Sequence, residues 1–171
     1  MKKILLGLVV AVLILTHFKE KEQETVIIPS DSIRLRVISN SNSELDIKEK
    51  IELKDHLEDI LFELTQNANS KNEVSEIIID NLDYLNEDVY KFLNSNNYKI
   101  DYGQNYFPSK VYRGVVYKEG MYDSLVVTLG NGKGQNWWCV LFPPLCLLEE
   151  NTNTTDVEYQ LFVSRIIDGI R

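Results

Sequence analysis

The spacing of apolar residues changes several times along this chain, and each change predicts a different element. An unbroken apolar run of twelve, Ile4–Leu15, follows Lys2 and Lys3. Ile33-Arg34-Leu35-Arg36-Val37-Ile38 then alternates apolar and polar, the period of a half-buried strand. Ser39-Asn40-Ser41-Asn42-Ser43 is a turn and cap cluster, with Ser41 and Ser43 both suited to start a helix. That helix runs to about Leu64, with Ile47, Ile51, Leu57, Ile60, Leu61 and Leu64 at helical spacing. After the polar break 67–72, a second helix is predicted from Glu73 to Leu93, with Val74, Ile78, Leu82, Leu85, Val89 and Phe92 on one stripe.

The second half reads mostly as strand. Tyr98, Ile100 and Tyr102 alternate with Lys99 and Asp101, and Phe107-Pro108 ends that run. Val111-Tyr112 and Val115-Val116-Tyr117 are short extended pieces separated by Gly114. The β-branched run Ser124–Leu129 predicts a central strand. Gly130-Asn131-Gly132-Lys133-Gly134 is expected to be a mobile loop before the apolar stretch from Asn136 to Cys146. Residues 157–170 close the chain as an amphipathic helix. Strand, two helices and then several strands predict a two-layer α+β domain, with helices packed on a mostly antiparallel sheet. No internal repeat is present. The expected division is 1–18 as a signal peptide or short membrane anchor, 19–31 as a polar linker and 32–171 as one domain.

The first segment bears on location. A positive end before a short apolar stretch is the pattern of an export signal. The run is shorter than the roughly 20 residues of a confident membrane span. Thr16, His17 and Phe18 make a poor cleavage site, so removal and retention as an anchor both stay open. Lys2 and Lys3 favour a cytoplasmic N-terminus, which puts the body across the membrane.

Charge narrows the partners. The chain has 171 residues with 18 basic and 26 acidic side chains, a net charge of −8. Without Lys2 and Lys3 the balance is 16 against 26, or −10. A body this acidic repels phosphate backbones, which argues against nucleic-acid binding.

No motif assembles catalytic chemistry. Gly130-x-Gly132-x-Gly134 follows a strand, but Gln135 stands where a dinucleotide loop needs glycine, and Lys133 is followed by Gly134 instead of Ser or Thr. His56 has no His-Glu-x-x-His context and is expected to be solvated. Gly-x-Ser-x-Gly and Asp-Thr/Ser-Gly are both absent. Cys139 and Cys146, with six residues between them, cannot fill a tetrahedral zinc site alone, so no metal or cofactor is expected. A tight turn at Phe142-Pro143 would bring the two cysteines together as a disulfide; two buried free thiols fit the sequence equally.

The stretch Asn136-Trp137-Trp138-Cys139-Val140-Leu141-Phe142-Pro143-Pro144-Leu145-Cys146 resembles the hallmark of the stage II sporulation protein R family. The likeness covers nearly the whole chain. It includes the strand and turn Ile33–Ser41, Asp46, Lys50 and Lys54-Asp55 on the first helix, Phe107-Pro108-x-Lys110-x-Tyr112, Gly120-x-Tyr122 and the glycine loop. Lys118-Glu119 stands where the family usually has Pro-Ala.

The resemblance implies a non-enzymatic signal, exported from the forespore of an endospore-forming bacterium into the space between the two cell membranes. The implied partner is a membrane-embedded aspartic protease, which that signal activates to process the mother-cell sigma factor precursor. Membrane contact would come through the N-terminal segment. A secreted hydrolase of unrecognised type and a structural protein of the intermembrane space are the alternative readings. Adjacent tryptophans in a strand point to opposite faces, so Trp137 or Trp138 is expected outside as an interface anchor. Phe142, Pro143 and Pro144 would shape a rigid turn beside it.

Overall fold

The computed structural model describes residues 26–145 and 156–169. The expected export or anchor segment, 1–18, and Cys146 lie outside the described residues. The fold is α+β, with four helices and two sheets among the described residues.

The larger sheet has the order β3-β6-β2-β7. Strand β2 (Ile33–Ile38) runs parallel to β6 (Gly120–Leu129) and antiparallel to β7 (Asn136–Phe142). Strand β3 (Tyr98–Phe107) pairs antiparallel with β6 over its whole length, from Tyr98 opposite Leu129 to Phe107 opposite Gly120. One face of this sheet carries Leu35, Val37, Leu125, Val127 and Leu129, which form a core with three helices.

Those helices are α1 (Glu44–Thr65), α2 (Lys71–Asp80) and α3 (Leu82–Leu93). Ser43 caps α1, its hydroxyl accepting from the Asp46 amide at 3.2 Å. Leu53, Leu57 and Leu61 are the buried stripe of α1, and Ile51 is 46% exposed, contrary to the expected stripe. The phase is hidden because the buried face also holds Lys50, whose ammonium donates to the Gln135 carbonyl at 3.3 Å. The single helix expected over Glu73–Leu93 breaks at Asn81. There φ −104° and ψ 11° leave the helical region, and the side-chain amide donates to the Ile77 carbonyl at 2.8 Å. Val74, Ile78, Leu85 and Val89 are buried across the break.

A second sheet, of order β1-β5-β4, belongs to the other face. Its strands are β1 (Val26–Ile27), β4 (Lys110–Tyr112) and β5 (Val115–Tyr117). Strands β4 and β5 join through Arg113 and Gly114, at φ 48° and 78°. Positive φ at both central positions is the turn that suits a two-residue hairpin. Ile28, Val115, Tyr117 and Val140 pack with Val163 and Ile167 of helix α4 (Asp156–Gly169) into a far-side core. The expected linker is therefore part of the fold from Val26 onward: β1 pairs with β5, and Ile28 is fully buried.

Leu61→Asp puts an unpaired charge into the helix-side core and is expected to lower stability by several kcal/mol, read by urea denaturation. Ile51→Asp, on the open side of the same helix, should stay within about 0.5 kcal/mol.

Candidate functional site

The segment singled out by sequence is β7 and the turn after it. Trp137 stands opposite Val37, and Trp138 opposite Arg36. The period of two sends the rings to opposite faces. Trp137 lies against the helix-side core, with the Lys54 ammonium 4.9 Å from its ring centroid. Burial works against that ammonium, but hydrogen bonds from it to Asp55 and Glu58 hold its pKa above the ordinary value. Trp138 meets Phe107 and Tyr117 edge-on, with centroids 5.5 and 5.6 Å away. Both tryptophans are half-buried, so neither stands free on the surface.

Phe142 and Pro143 are buried and joined by a cis peptide bond, whereas Pro144 is exposed. Phe142 and Pro143 wall a cleft of about 440 Å³ together with residues 27–31, Lys118 and Ile167. That volume falls within the range of small-ligand and peptide side-chain pockets. Cys139 is disulfide-bonded, and the only other cysteine in the sequence is Cys146. This replaces the pair of free thiols and removes Cys139 as a nucleophile. His56 is not simply solvated. It pairs with Asp88 and stacks on Phe92 at 4.4 Å, tying α1 to α3.

Behind Trp138 lies a feature the sequence reading did not single out. Arg34 is fully buried, its guanidinium 3.5 Å from the Tyr122 ring centroid, 5.0 Å from Phe107 and 5.3 Å from Trp138. One nitrogen donates to the Lys118 carbonyl at 3.4 Å, and its Nε and Nη1 have no hydrogen-bond partner. Burial pushes its pKa below the ordinary value, opposed by Tyr122 and Tyr117. Arg36 covers Phe107 at 4.0 Å and donates to the Tyr106 carbonyl at 2.6 Å. The only signal for this in the sequence is arginine at two alternate positions of a strand, which reads equally as a solvated face.

The glycine loop is pinned, not mobile. Its amides at Gly130, Gly132, Lys133 and Gly134 donate to the carbonyls of Asn97, Leu129, Asn40 and Ser39. Those of Asn131 and Gln135 donate to the side chains of Asn40 and Asn42. Every amide from Gly130 to Gln135 is thus committed, and none is left to cradle a phosphate. A Cβ at Gly134 would collide with Ser39 and the Ser41 carbonyl, so the two loops fit together only with glycine there. Asp46 completes the junction by accepting from Ser41 and, at 3.1 Å, from Asn40.

Residues 29–152 match the stage II sporulation protein R family. The chain belongs to that family. A curated relative, the stage II sporulation protein R of Bacillus subtilis (strain 168), is 35% identical over 135 residues. That match covers 77% of this chain and 60% of the relative, so the chain spans less than two thirds of the relative's length. No solved structure matches it. Family membership gives the chain a role in sporulation. The family span contains Arg34 with the aromatic rings around it, the interlocked loops, β7 and the Phe142-Pro143 wall of the cleft. It stops short of Ile27 and Ile28, and of α4 with Ile167, which complete the cleft.

The hydrogen bond from Ser41, with that from Asn40, holds the Asp46 carboxyl below the ordinary carboxylate range. A depressed folded pKa stabilises above the unfolded value, about 3.9, and that contribution is lost as pH falls through the folded value. Wild type should therefore lose more stability than Asp46→Asn on acidification below about pH 4. Parallel acid limbs in denaturation curves of the two proteins would remove this role for Asp46.

Proposed function

We propose that this chain is an exported sporulation signal that activates a membrane-embedded aspartic protease by contact, after which the protease processes the mother-cell sigma factor precursor. The observation that carries the reading is the family match over residues 29–152, which takes in the Trp137–Pro144 segment. Support for export comes from Lys2-Lys3 and the apolar run behind them. The proposed route leads from the forespore into the space between the two membranes, with the N-terminal segment making the membrane contact.

The proposed contact region is the end of the molecule built by Phe142, Pro143 and the 27–31 segment. Phe142 and Pro143 are buried there, and the cleft offers a receptor for a side chain of the partner. Trp137 and Trp138 stand five and four residues before Phe142 on the same strand and are half-buried, so their truncation mixes packing with any contact. Exposed Asp31 and Pro144 test the surface more cleanly.

The decisive experiment is co-expression of the protease and the sigma factor precursor with and without this chain, in a host lacking other sporulation proteins. Processing is expected only when the chain is present; processing in its absence overturns activation. Asp31→Lys and Pro144→Asp should each reduce processing while leaving the melting temperature unchanged. Undiminished processing by both variants would move the contact surface elsewhere. For export, a reporter active only outside the cytoplasm and fused after Arg171 should fall silent when residues 4–15 are deleted. A deleted form that still reports from outside refutes the leader.

A further inference from the structure

The four-stranded sheet ends at β3, so one side of that strand has no neighbour among the described residues. Along a strand, alternate residues aim both amide and carbonyl to the same side. Half of the backbone groups of β3 therefore face outward, a row that only another strand matches. Among the described residues, side chains bond the carbonyls of Gly103 and Tyr106, and none bonds the backbone from Tyr98 to Tyr102. Tyr98, Ile100 and Tyr102 lean on the helix-side core. Lys99 and Asp101 alternate with them on the far face, exposed, their charged groups 3.8 Å apart.

The sequence of this free stretch is symmetric about Ile100: aromatic, cation, aliphatic, anion, aromatic. Laid antiparallel against a second copy with the two Ile100 residues facing, it sets Lys99 of each copy against Asp101 of the other, and Tyr98 against Tyr102. Opposite charges and aromatic rings are both favourable cross-strand pairs. A slip of two residues either way puts Lys99 opposite Lys99 or Asp101 opposite Asp101, so the charges also fix the register. The helices beside this edge add exposed apolar side chains. Ser75 of α2 bonds the Tyr102 hydroxyl, and one turn further on Ile79 is 52% exposed. The Asn86 carbonyl of α3 accepts from the Tyr98 hydroxyl, and one turn further on Tyr90 is 44% exposed.

We propose that two copies of this chain join through β3 into one continuous sheet, four strands from each copy, about a two-fold axis at Ile100. Charge selects a second copy over a foreign strand. A foreign strand would have to bring an anion opposite Lys99 and a cation opposite Asp101, on one face and two residues apart. A second copy, running antiparallel, already carries that pattern. The contact is the same patch on both sides, so it closes at two copies and leaves no free β3 edge for a third. Both helix layers then lie on one face of the joined sheet, with Ile79 and Tyr90 of each copy beside the seam. The clefts, near the Phe107 end of each β3, point in opposite directions. This pairing stands apart from protease activation and does not depend on it.

The test is native mass spectrometry of the full chain in excess nonionic detergent, which keeps the apolar run Ile4–Leu15 from driving association. Wild type should form a dimer as its concentration rises. Lys99→Asp and Asp101→Lys change exposed side chains and should keep the melting temperature. Each puts like charges across the seam at two places, so each should weaken the dimer about tenfold or more. An equimolar mixture of the two variants restores opposite charges at both places, and a mixed dimer should form as readily as the wild-type one. Should either variant melt early, Ile79→Asp decides, since it should also weaken the dimer from beside the seam. A wild-type chain that stays monomeric to sub-millimolar concentration overturns the proposal. So does a dimer that none of the variants weakens, which would place the contact elsewhere. Weakened charge variants whose mixture stays monomeric overturn it as well.

Discussion

A guanidinium held between aromatic rings joins the two halves of this domain. Strand β2 is buried on both faces, but only one of them is aliphatic. On the other, Arg34 lies against Tyr122 from β6, Phe107 from β3 and Trp138 from β7, so three neighbouring strands converge on one cation. Desolvated contacts of this kind contribute about 2 kcal/mol each at best, while a buried donor left without an acceptor costs about 1–3 kcal/mol. The balance is fine, and the aromatic rings supply most of the favourable side. The carbonyl of Lys118 accepts from both Arg34 and Tyr122, which fixes the place where the long β3–β6 ribbon passes into the β4–β5 hairpin. Without that anchor the three-stranded sheet would lose its fixed position over the far face.

At the opposite end of β2, a second constraint sets the spacing of loops. The turn Ser39–Asn42 and the loop Gly130–Gln135 exchange backbone and side-chain hydrogen bonds so completely that neither can move alone. Lys50 reaches into the same junction from α1. The glycines serve close approach between two backbones, a reading opposite to the mobility their composition suggests.

Much of the fold was legible from spacing. Periods of two and 3.6 located β2, β3 and α1 close to their observed limits, the run Ser124–Leu129 marked the second half of β6, and the α+β arrangement followed from the order of the elements. The misses share a cause. Ile51 and Leu53 are both apolar, so only the partner face decides which one turns inward. Asn81 is an ordinary residue inside a helical pattern until its side chain bonds the Ile77 carbonyl. Val26–Ile28 look like a linker because their pairing strand, β5, lies almost ninety residues later. The candidate site divides the same way. Opposite orientations for Trp137 and Trp138 follow from strand geometry alone, and their half-burial depends on rings and lysines brought in from other elements. The cleft beside Phe142 was invisible, since its walls come from the two ends of the chain.

The shortest strand has a mechanical consequence. β1 is two residues long and is held by its pairing with β5 and by the Ile28 amide on the Val116 carbonyl at 3.0 Å. Tension applied on the N-terminal side loads this attachment before any other part of the fold. Its release would carry away residues 27–31, and with them one whole wall of the cleft. The large sheet is loaded only after β1 lets go, since residues 28–32 lead straight into β2. A pull on the tether would therefore reshape the cleft while leaving the helix-side core intact, making this corner the mechanical fuse of the molecule.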